Sequence, residues 1–480
     1  MPRPAVWICL LGGPLLAQIQ HATPMAGRWF PADPVALNKS LADAIGKAQT
    51  RALNLPPRKG LLALIAPHAG IEYSGMVAAG AFRLVNSPKT VLLVGFSHQT
   101  PLTGVVIPRV SSYTTPLGEI KVDSAAAREL GFAQVEENSL CDHSLENLLP
   151  FVQKAAPGAM LVPLYAGAMN QQELQAAAQK LASRLTKGDL IVASSDFTHH
   201  GKAYQYAPFA QDKQLPQRLR ERAMEAFEHA GSLNVAGFDR FLARTGDTIC
   251  GRDPIRLLMA ALARFPERVY METADTQSSG EVTGDWSLSV SYGALAFYRA
   301  SAYTVGPQSQ RRLLAHSRAA LEALYDGRPA ASIDTTGELR RREGVFVTIR
   351  KQGQLRGCIG NLEPRTLLPD TVADRTLAAA RSDPRFPPLT RAEGPVDLEI
   401  SLLTPLKRLF DWKEFRVGQG ALLVLASDGG LLLPQVAKEM NWNRDQFLEG
   451  LSQKAGLDPK AYRDPKAKLY VFDAQVFGER

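Results

Sequence analysis

The sequence predicts an α/β unit followed by an α+β unit. In the first part of the 480-residue chain, apolar strands alternate with amphipathic helices, which is typical of an α/β layer fold. In the last third, strands occur in pairs joined by short turns without βαβ alternation, which favours α+β. A turn-like segment, "YTVGPQSQ" at 303–310, separates the two patterns.

Four apolar runs predict the central strands of the first unit, and their low polarity suits strands that are covered on both faces. These runs span residues 61–67, 90–96, 159–165 and 190–195, and two further strands at 268–273 and 286–298 close the unit. Helices are predicted at residues 36–53, 124–131, 171–186, 215–230 and 254–264. We expect Asp253 to cap the last helix, with Pro254 at its first position.

The second unit is expected to begin with a helix over 310–326 that ends at Gly327. "GVFVTIRKQGQLRGCIG" predicts a hairpin turning at 351–353, and "ALLVLASDGGLLLP" predicts another with an Asp-Gly-Gly turn. The last predicted elements are an alternating strand at 396–403, a helix near 443–454 and a strand at 468–473. The predicted division is a leader at 1–23, a first domain at 24–302, a linker at 303–309 and a second domain at 310–480.

The N-terminus, "MPRPAVWICLLGGPLLAQ", has two interpretations. Residues 1–17 resemble a signal peptide with cleavage after Ala17, but Leu15 fits the position three residues before cleavage poorly. We favour the cytoplasm, with a periplasmic or secreted location if this segment is cleaved. No later stretch reaches the ~18–20 apolar residues that a membrane span needs.

Composition and charge are those of an ordinary globular protein, with 45% hydrophobic and 21% charged residues and a net charge of +8. The densest basic cluster, "RRRE" at 340–343, is expected to be a solvated loop, so charge gives weak support to nucleic-acid binding. The four cysteines are too few and too scattered for a disulfide framework or a zinc knuckle; they are Cys9, Cys141, Cys250 and Cys358.

Three predicted core strands each end in a turn that contains histidine. His68 follows the first strand, His98 follows the second, and the turn after the fourth holds Asp196 and His199. Polar groups beyond the strand ends of an open α/β sheet converge on one crevice. Cys250 precedes a predicted helix N-terminus, which would lower its pKa, as would a bound cation. Each residue alone is more often structural, but together these types predict a site for a borderline transition metal.

Three further residues are candidates for the pocket. In "CDHSLEN", His143 either joins the site or simply caps a helix that starts near Leu145. Tyr73 lies in a segment where Gly70 and Gly75 predict an open turn. Arg252 follows Cys250 closely in the chain.

Seven segments, in this order and over about residues 24–300, resemble the Memo family, which is protein B of the AmmeMemoRadiSam system. They are "PMAGRWFPAD", "IAPHAGIEYSG", "VGFSHQTPLTGVVIP", "CDHSLENLLPF", "ASSDFTHHG", "TICGRDPI" and "SSGEVTGDWSLSVSYGALAFY". The resemblance implies a fold like the class III extradiol dioxygenases. It also implies that His68, His98 and Cys250 bind one copper or iron ion, with His199 as the acid/base and Asp196 in the same motif. Cysteine in place of the dioxygenase glutamate favours softer metals such as Cu(I) and argues against ring cleavage.

"LRGCIGNLEP", "ARSDPRFPPL", "LEISLLTP", "LLLPQVAKEMNW" and "KAGL" resemble the AMMECR domain, protein A of the same system, over about 310–479. Cys358 is either a buried strand thiol or a substrate-facing thiol beside the Arg356 cation. Asp383 and Arg385 form either a structural turn or a binding edge. The resemblance links this fold to nucleic acid only by analogy.

Two classes of function follow. In the first, the Memo-like part is a metal-dependent, dioxygenase-like oxidoreductase and the AMMECR-like part presents a substrate, with a radical SAM protein as partner. In the second, the chain is a non-catalytic metal-binding or scaffold protein. The sequence specifies neither the substrate, small or macromolecular, nor the oligomeric state.

Overall fold

The computed structural model describes residues 19–51, 58–363 and 365–479. Residues 1–17, the expected signal peptide, and Cys9 lie outside the described residues, so the leader stays a prediction. In the described ranges, no helix combines the length and the apolar character needed to cross a bilayer.

The N-terminal part is built on a nine-stranded mixed sheet with the order β10-β12-β2-β9-β3-β8-β4-β7, where β11 pairs with β12, and on a small β1-β5-β6 sheet. Its strands are β1 (Gln20–Ala22), β2 (Leu61–Ala66), β3 (Thr90–Gly95), β4 (Val105–Pro108), β5 (Ser112–Thr115), β6 (Gly118–Lys121), β7 (Ala133–Val135), β8 (Met160–Ala166), β9 (Leu190–Ser194), β10 (His199–His200), β11 (Val269–Ser278) and β12 (Ser289–Arg299). Its helices are α1 (Pro34–Thr50), α2 (Ile71–Phe82), α3 (Ser124–Leu130), α4 (His143–Glu146), α5 (Leu149–Ala155), α6 (Gln171–Leu185), α7 (Leu215–Ser232), α8 (Val235–Thr245), α9 (Arg252–Leu262) and α10 (Ser279–Thr283).

The four central strands of this sheet are parallel and covered on both faces. β9 pairs in parallel with β2 and with β3, and β3 pairs in parallel with β8. Along β2, Leu64 and Ala66 pack into one hydrophobic cluster, while Ala63 and Ile65 pack into the other. This alternation is the period of an extended chain, and it explains why both sides of the run are apolar. Because the strands are parallel, their carboxyl ends meet at one edge of the sheet.

The C-terminal part consists of two four-stranded antiparallel sheets with helices, with the orders β14-β13-β15-β20 and β16-β19-β17-β18. Its strands are β13 (Gly344–Lys351), β14 (Gln354–Asn361), β15 (Asp397–Leu403), β16 (Lys407–Leu409), β17 (Gly420–Leu425), β18 (Asp428–Leu432), β19 (Lys468–Phe472) and β20 (Ala474–Gly478). Its helices are α11 (Pro307–Tyr325), α12 (Leu368–Arg381), α13 (Pro434–Glu439) and α14 (Arg444–Lys454). The mixed α/β sheet and the antiparallel sheets therefore confirm the two fold classes at this level.

Two predictions for segments next to the candidate site residues are wrong. The segment after His68 is a helix rather than an open turn, because Gly70 only flanks α2 and Gly75 lies inside it. The residue that precedes α9 is Gly251, not Asp253. Asp253 instead lies inside the helix and pairs with Arg256.

Two predictions in the C-terminal part are also wrong. α11 begins at Pro307, inside the predicted linker, because proline suits the first turn of a helix. The second hairpin turns at Ala426, whose φ of 55° is left-handed, while the Asp-Gly-Gly sequence already belongs to β18.

The two parts of the chain contact each other through polar and aromatic pairs. The His229 ring of α7 stacks on Phe410 with a centroid distance of 3.7 Å. Buried Arg58 donates a 2.9 Å hydrogen bond to Glu343, which is only 4% exposed. Glu343 belongs to "RRRE", so the prediction of a solvated loop is wrong for this glutamate, whose charge is balanced by arginine from the other part.

Candidate metal centre

His68 is fixed at the end of β2 by two contacts with the neighbouring strand β9 and the turn after it. Its ring Nδ1 lies 2.8 Å from the Oγ of Ser194, and its backbone N–H donates to the Asp196 carboxylate at 2.9 Å. These contacts leave Nε2 on the side of Cys250, with 3.5 Å between Nε2 and Sγ. The parallel pairing of β2 with β9 therefore places the imidazole, and the loop before α9 supplies the thiol.

His98 is oriented by a single carboxylate. Asp142 accepts a hydrogen bond from the His98 backbone N–H at 2.6 Å and lies 2.8 Å from its ring Nδ1. The His98 ring stacks on His143 with a centroid distance of 4.1 Å, and His143 stacks on Trp29 at 4.2 Å. One ring nitrogen from each of His68, His98 and His143 lies within 4.8 Å of the others. His143 thus belongs to the site rather than only to a helix cap, and it brings a third imidazole.

His199 lines the same cavity but makes different contacts. Its Nδ1 lies 2.8 Å from the carbonyl oxygen of Phe197 and 3.0 Å from that of Thr248. Because carbonyl oxygens only accept, Nδ1 carries the proton, and Nε2 is the acceptor of the neutral ring. The Nδ1 proton of His199 therefore goes to carbonyl oxygens and not to Asp196, which lies in the same motif and whose carboxylate accepts from the His68 backbone N–H.

Burial controls the protonation of the site. It lowers the pKa of His68 well below the usual range, helped by the nearby imidazoles, and it lowers the pKa of His143 to about 4. Burial also raises the pKa of the Cys250 thiol, and the Asp196 charge adds to the rise. A hydrogen bond from the backbone N–H of Gly251 lowers the pKa of Cys250, but burial has the larger effect. The pKa is therefore raised overall, and the expectation that the helix N-terminus lowers it is wrong. Cys250 therefore becomes a thiolate only when a cation compensates for its burial.

A cavity of about 1100 Å³ opens over these groups. His143 and Tyr73 line it, as the sequence suggested. Arg252 does not line this cavity; as the first residue of α9 it points away, pairs with Asp253 and lines a different cleft. The walls of the cavity also contain aromatic residues that the sequence does not indicate, among them Trp29, Tyr204 and Tyr292. Aromatic residues scattered along a chain carry no positional signal until the fold brings them together.

The candidates of the C-terminal part form two separate ion pairs. Arg356 donates to both Glu393 oxygens, at 2.8 and 2.7 Å. Arg385 donates to both oxygens of Asp383, at 2.9 and 2.7 Å, and Asp383 accepts from the Cys358 backbone N–H at 2.8 Å.

Cys358 does not have the surroundings of an activated thiol. The cation that reaches its backbone carbonyl is Arg385, not Arg356 as expected. Burial raises the pKa of the Cys358 thiol. These contacts favour the interpretation as a strand thiol held beside a structural turn.

Comparison with known proteins identifies both parts. Residues 21–296 match the family model described as Memo-like protein, and residues 314–477 match the one described as AMMECR1. A protein of Methanothermobacter thermautotrophicus is 44% identical over 154 residues, which are 30% of this chain and 80% of that protein. The memo-1 homolog of Caenorhabditis elegans is 32% identical over 256 residues, which are 50% of this chain and 70% of that protein. MEMO1 of Mus musculus is 30% identical over 256 residues, covering 50% and 83%. The chain therefore belongs to the Memo family and carries an AMMECR1 domain after its Memo-like domain.

Proposed function

We propose that the protein binds one redox-active metal ion, copper or iron, through His68, His98 and Cys250. The observation that carries this proposal is the 3.5 Å approach of the His68 and Cys250 donor atoms at the sheet edge where His98 also lies. A thiolate with imidazoles is a donor set for Cu(I) or Fe(II) rather than for Mg²⁺ or Ca²⁺. The Nδ1 of each imidazole also has a hydrogen-bond partner, which is Ser194 for His68 and Asp142 for His98. Such a partner at the second ring nitrogen is usual for metal-binding histidines.

We further propose that the site is catalytic, as a dioxygenase-like oxidoreductase. The bound metal would supply one-electron redox chemistry. His199 would take up or release the substrate proton at Nε2, because its Nδ1 is engaged by carbonyl oxygens. The cavity is large enough for a small molecule, and Tyr73 and Tyr292 give its wall an aromatic character suited to a flat substrate.

One observation favours the second candidate function, a non-catalytic metal-binding protein. His143 brings a third imidazole within ligand distance of His68 and His98. A site that uses all three imidazoles and the thiolate would be fully coordinated, and closed sites are typical of structural or storage metals. Catalysis requires that one position stay available to the substrate.

The test is an anaerobic titration of the full chain with Cu(I) and with Fe(II), followed by an oxygen-consumption screen. We expect weaker metal binding in each of three variants: His68→Ala, His98→Ala and Cys250→Ser. Cys358→Ser, which removes a thiol of the other domain, should leave the affinity unchanged. Equal affinity in all four variants would refute the assignment. Metal binding without oxygen consumption for any aromatic substrate would favour the storage interpretation.

For the AMMECR1 domain, we propose that it presents the substrate and that a radical SAM protein acts with the chain. This rests on the fusion of the two domains and on the contacts between them, such as the hydrogen bond from Tyr470 to Glu228 at 2.7 Å. Co-purification of the full chain with a radical SAM protein from the same organism is the expected result. Failure of cross-linking at high concentration of both proteins would contradict the partnership.

A further inference from the structure

We propose a second metal site, for a divalent transition cation such as Zn²⁺, formed by His21, Cys141 and Glu146. The three come from β1, from the turn before α4 and from α4 itself. The Nε2 of His21 lies 3.1 Å from the Oε1 of Glu146 and 4.0 Å from the Sγ of Cys141. The three donor atoms lie within 4.8 Å of one another.

These separations match those of ligands around one ion. With metal–ligand bonds of ~2.0–2.3 Å, tetrahedral geometry places nitrogen and oxygen ligands ~3.4 Å apart and nitrogen and sulfur ligands ~3.6 Å apart. The observed 3.1 and 4.0 Å deviate from these values by a few tenths of an ångström, which side-chain rotation corrects. Histidine, cysteine and carboxylate are also the ligand types that zinc uses.

Buried carboxylate oxygens without partners point to a cation in this place. Glu146 is 0% exposed, and its Oε2 has no hydrogen-bond partner among the described residues. Glu137 is 3% exposed; its Oε1 accepts from the Tyr165 hydroxyl at 3.2 Å, and its Oε2 is likewise unpartnered in the described part of the chain. Each of these carboxylates thus has one oxygen with a partner and one without, and a buried polar atom without a partner is costly. Two such oxygens near one histidine favour an additional positive charge. A divalent ion supplies it, and the Glu137 charge, which interacts with His21 and Glu146, adds to the attraction for a cation.

The competing explanation is that a proton, not a metal, fills this role. Burial and the Glu146 charge raise the pKa of Glu137 to about 7, and the contact with Glu146 raises the pKa of His21 despite its burial. A protonated, hydrogen-bonded cluster therefore balances the same charges at neutral pH. The two explanations differ in the state of Cys141, because only a metal converts a thiol with a pKa raised to about 12 into a thiolate.

The second site shares the segment 141–146 with the first centre, which is the proposed site formed by His68, His98 and Cys250. Cys141 and Glu146 flank Asp142, which orients His98, and His143, which stacks on it. An ion bound to Cys141 and Glu146 would fix this segment at both ends. The proposal does not depend on the proposed function, because none of its ligands belongs to His68, His98 and Cys250.

The test uses Co²⁺ as a spectroscopic probe, in a His68→Ala, Cys250→Ser variant of the full chain that lacks the first centre. This variant should bind one equivalent of Co²⁺ and show a thiolate-to-cobalt charge-transfer band. Adding Cys141→Ser should abolish the band, and adding Glu146→Gln should weaken binding at least tenfold. Adding Cys358→Ser should change neither property. Absence of the band, or its persistence after Cys141→Ser, overturns the proposal.

A second measurement avoids substitution altogether. In the unmodified chain, Zn²⁺ should protect Cys141 from alkylation by iodoacetamide, as read from the peptide that contains it. Cys141 is only partly buried, so without metal the reagent reaches it. Because the thiolate is the reacting form and the pKa of Cys141 is raised, alkylation is followed over several hours at alkaline pH. Alkylation of Cys141 at the same rate with and without Zn²⁺ would establish the protonated cluster instead. Because the readout is specific to Cys141, this result is independent of whether Cys250 binds metal.

Discussion

The Nε2 of His68 lies 3.5 Å from the Sγ of Cys250, although the two residues are 182 positions apart in the chain. Gly251, next to Cys250, contacts the end of β9: its N–H donates to the Oγ of Ser195 at 3.0 Å, and its Cα faces the backbone of Ser194. The loop before α9 is thereby pressed against the end of β9, next to the turn that carries His68. The candidate centre is thus built by the packing of a loop on a strand end.

We predict that Asp142→Asn lowers the metal affinity of the first centre by about 10–100-fold, the usual effect of losing the partner of a metal-binding histidine. The amide keeps one acceptor oxygen but removes the charge that pairs with the His98 ring. Titration with Cu(I) measures the effect. Glu136→Gln is the matched control, because this exposed carboxylate pairs with exposed Arg109 and not with a histidine of the site. Equal losses in both variants would mean that the effect is one of overall charge.

We predict that His199→Ala keeps Cu(I) affinity within about threefold of the unmodified protein but abolishes any oxygen consumption that the protein supports. Its Nδ1 is held by two carbonyl oxygens, so we expect the ring to act as an acid/base at Nε2 rather than as a metal ligand. His143→Ala is the informative partner variant. If it lowers affinity as much as His68→Ala does, His143 is a ligand, and the closed, non-catalytic site is favoured.

The sequence predicts the central strands of the first unit well, because each strand is marked by a run of apolar residues within its own segment. The runs at 61–67, 90–96, 159–165 and 190–195 correspond to β2, β3, β8 and β9 within one residue at each end. An apolar run of this length, bounded by turns, has few alternatives to a buried strand. The convergence of His68 and His98 follows from this, since parallel neighbours end at one edge.

The remaining features depend on contacts that the chain makes at long range. Trp29 reaches His143 across more than a hundred residues, and its stacking has no local signature. The sequence does not predict α2, because Gly70 and Gly75 suggest a turn. In the structure, packing of α2 against the apolar cluster overrides the low helix propensity of Gly75. The sequence also gives no indication of a role for His21, because nothing in "QHA" predicts that β1 pairs with β5 and brings this ring near Cys141.

We predict that His229 makes the contact between the two domains sensitive to acid. Burial and the nearby Arg244, Arg408 and Arg240 lower its pKa to about 4, below the unfolded value of about 6.5. Because its pKa is lower in the folded protein, neutral His229 contributes fully to the free energy of unfolding above pH 6.5. This contribution is lost as the pH falls toward 4, since the unfolded chain takes up the proton first. Between pH 7 and pH 5 this loss is about 1–2 kcal/mol.

The measurement is the change in thermal midpoint between pH 7 and pH 5. His229→Phe keeps a ring against Phe410 and cannot be protonated, so its midpoint should fall less than that of the unmodified chain. Part of the acid sensitivity should remain, because the pKa of His68 and of His143 is lowered as well. An identical fall in both proteins would exclude His229 as a source of the effect.

We predict that Gly251→Ala destabilises the N-terminal part by about 1–3 kcal/mol and also weakens metal binding. The φ of Gly251 is −83°, which any residue adopts, so the cost is steric rather than conformational. An added Cβ would lie 2.4 Å from the Ser194 carbonyl oxygen and 2.4 Å from the Cβ of Ser195, and these strand-end atoms cannot rotate away. The loop must therefore move, and Cys250 moves with it.

Gly46→Ala is the matched control, since Gly46 lies in α1 with nothing within 4 Å of the new Cβ. There the same substitution should stabilise the protein by up to ~1 kcal/mol, because alanine favours the helix. Urea unfolding together with Cu(I) titration of both variants measures the two effects. A Gly251→Ala protein with unchanged stability and affinity would show that the loop before α9 tolerates displacement, and that the close approach of Cys250 to His68 does not depend on this contact.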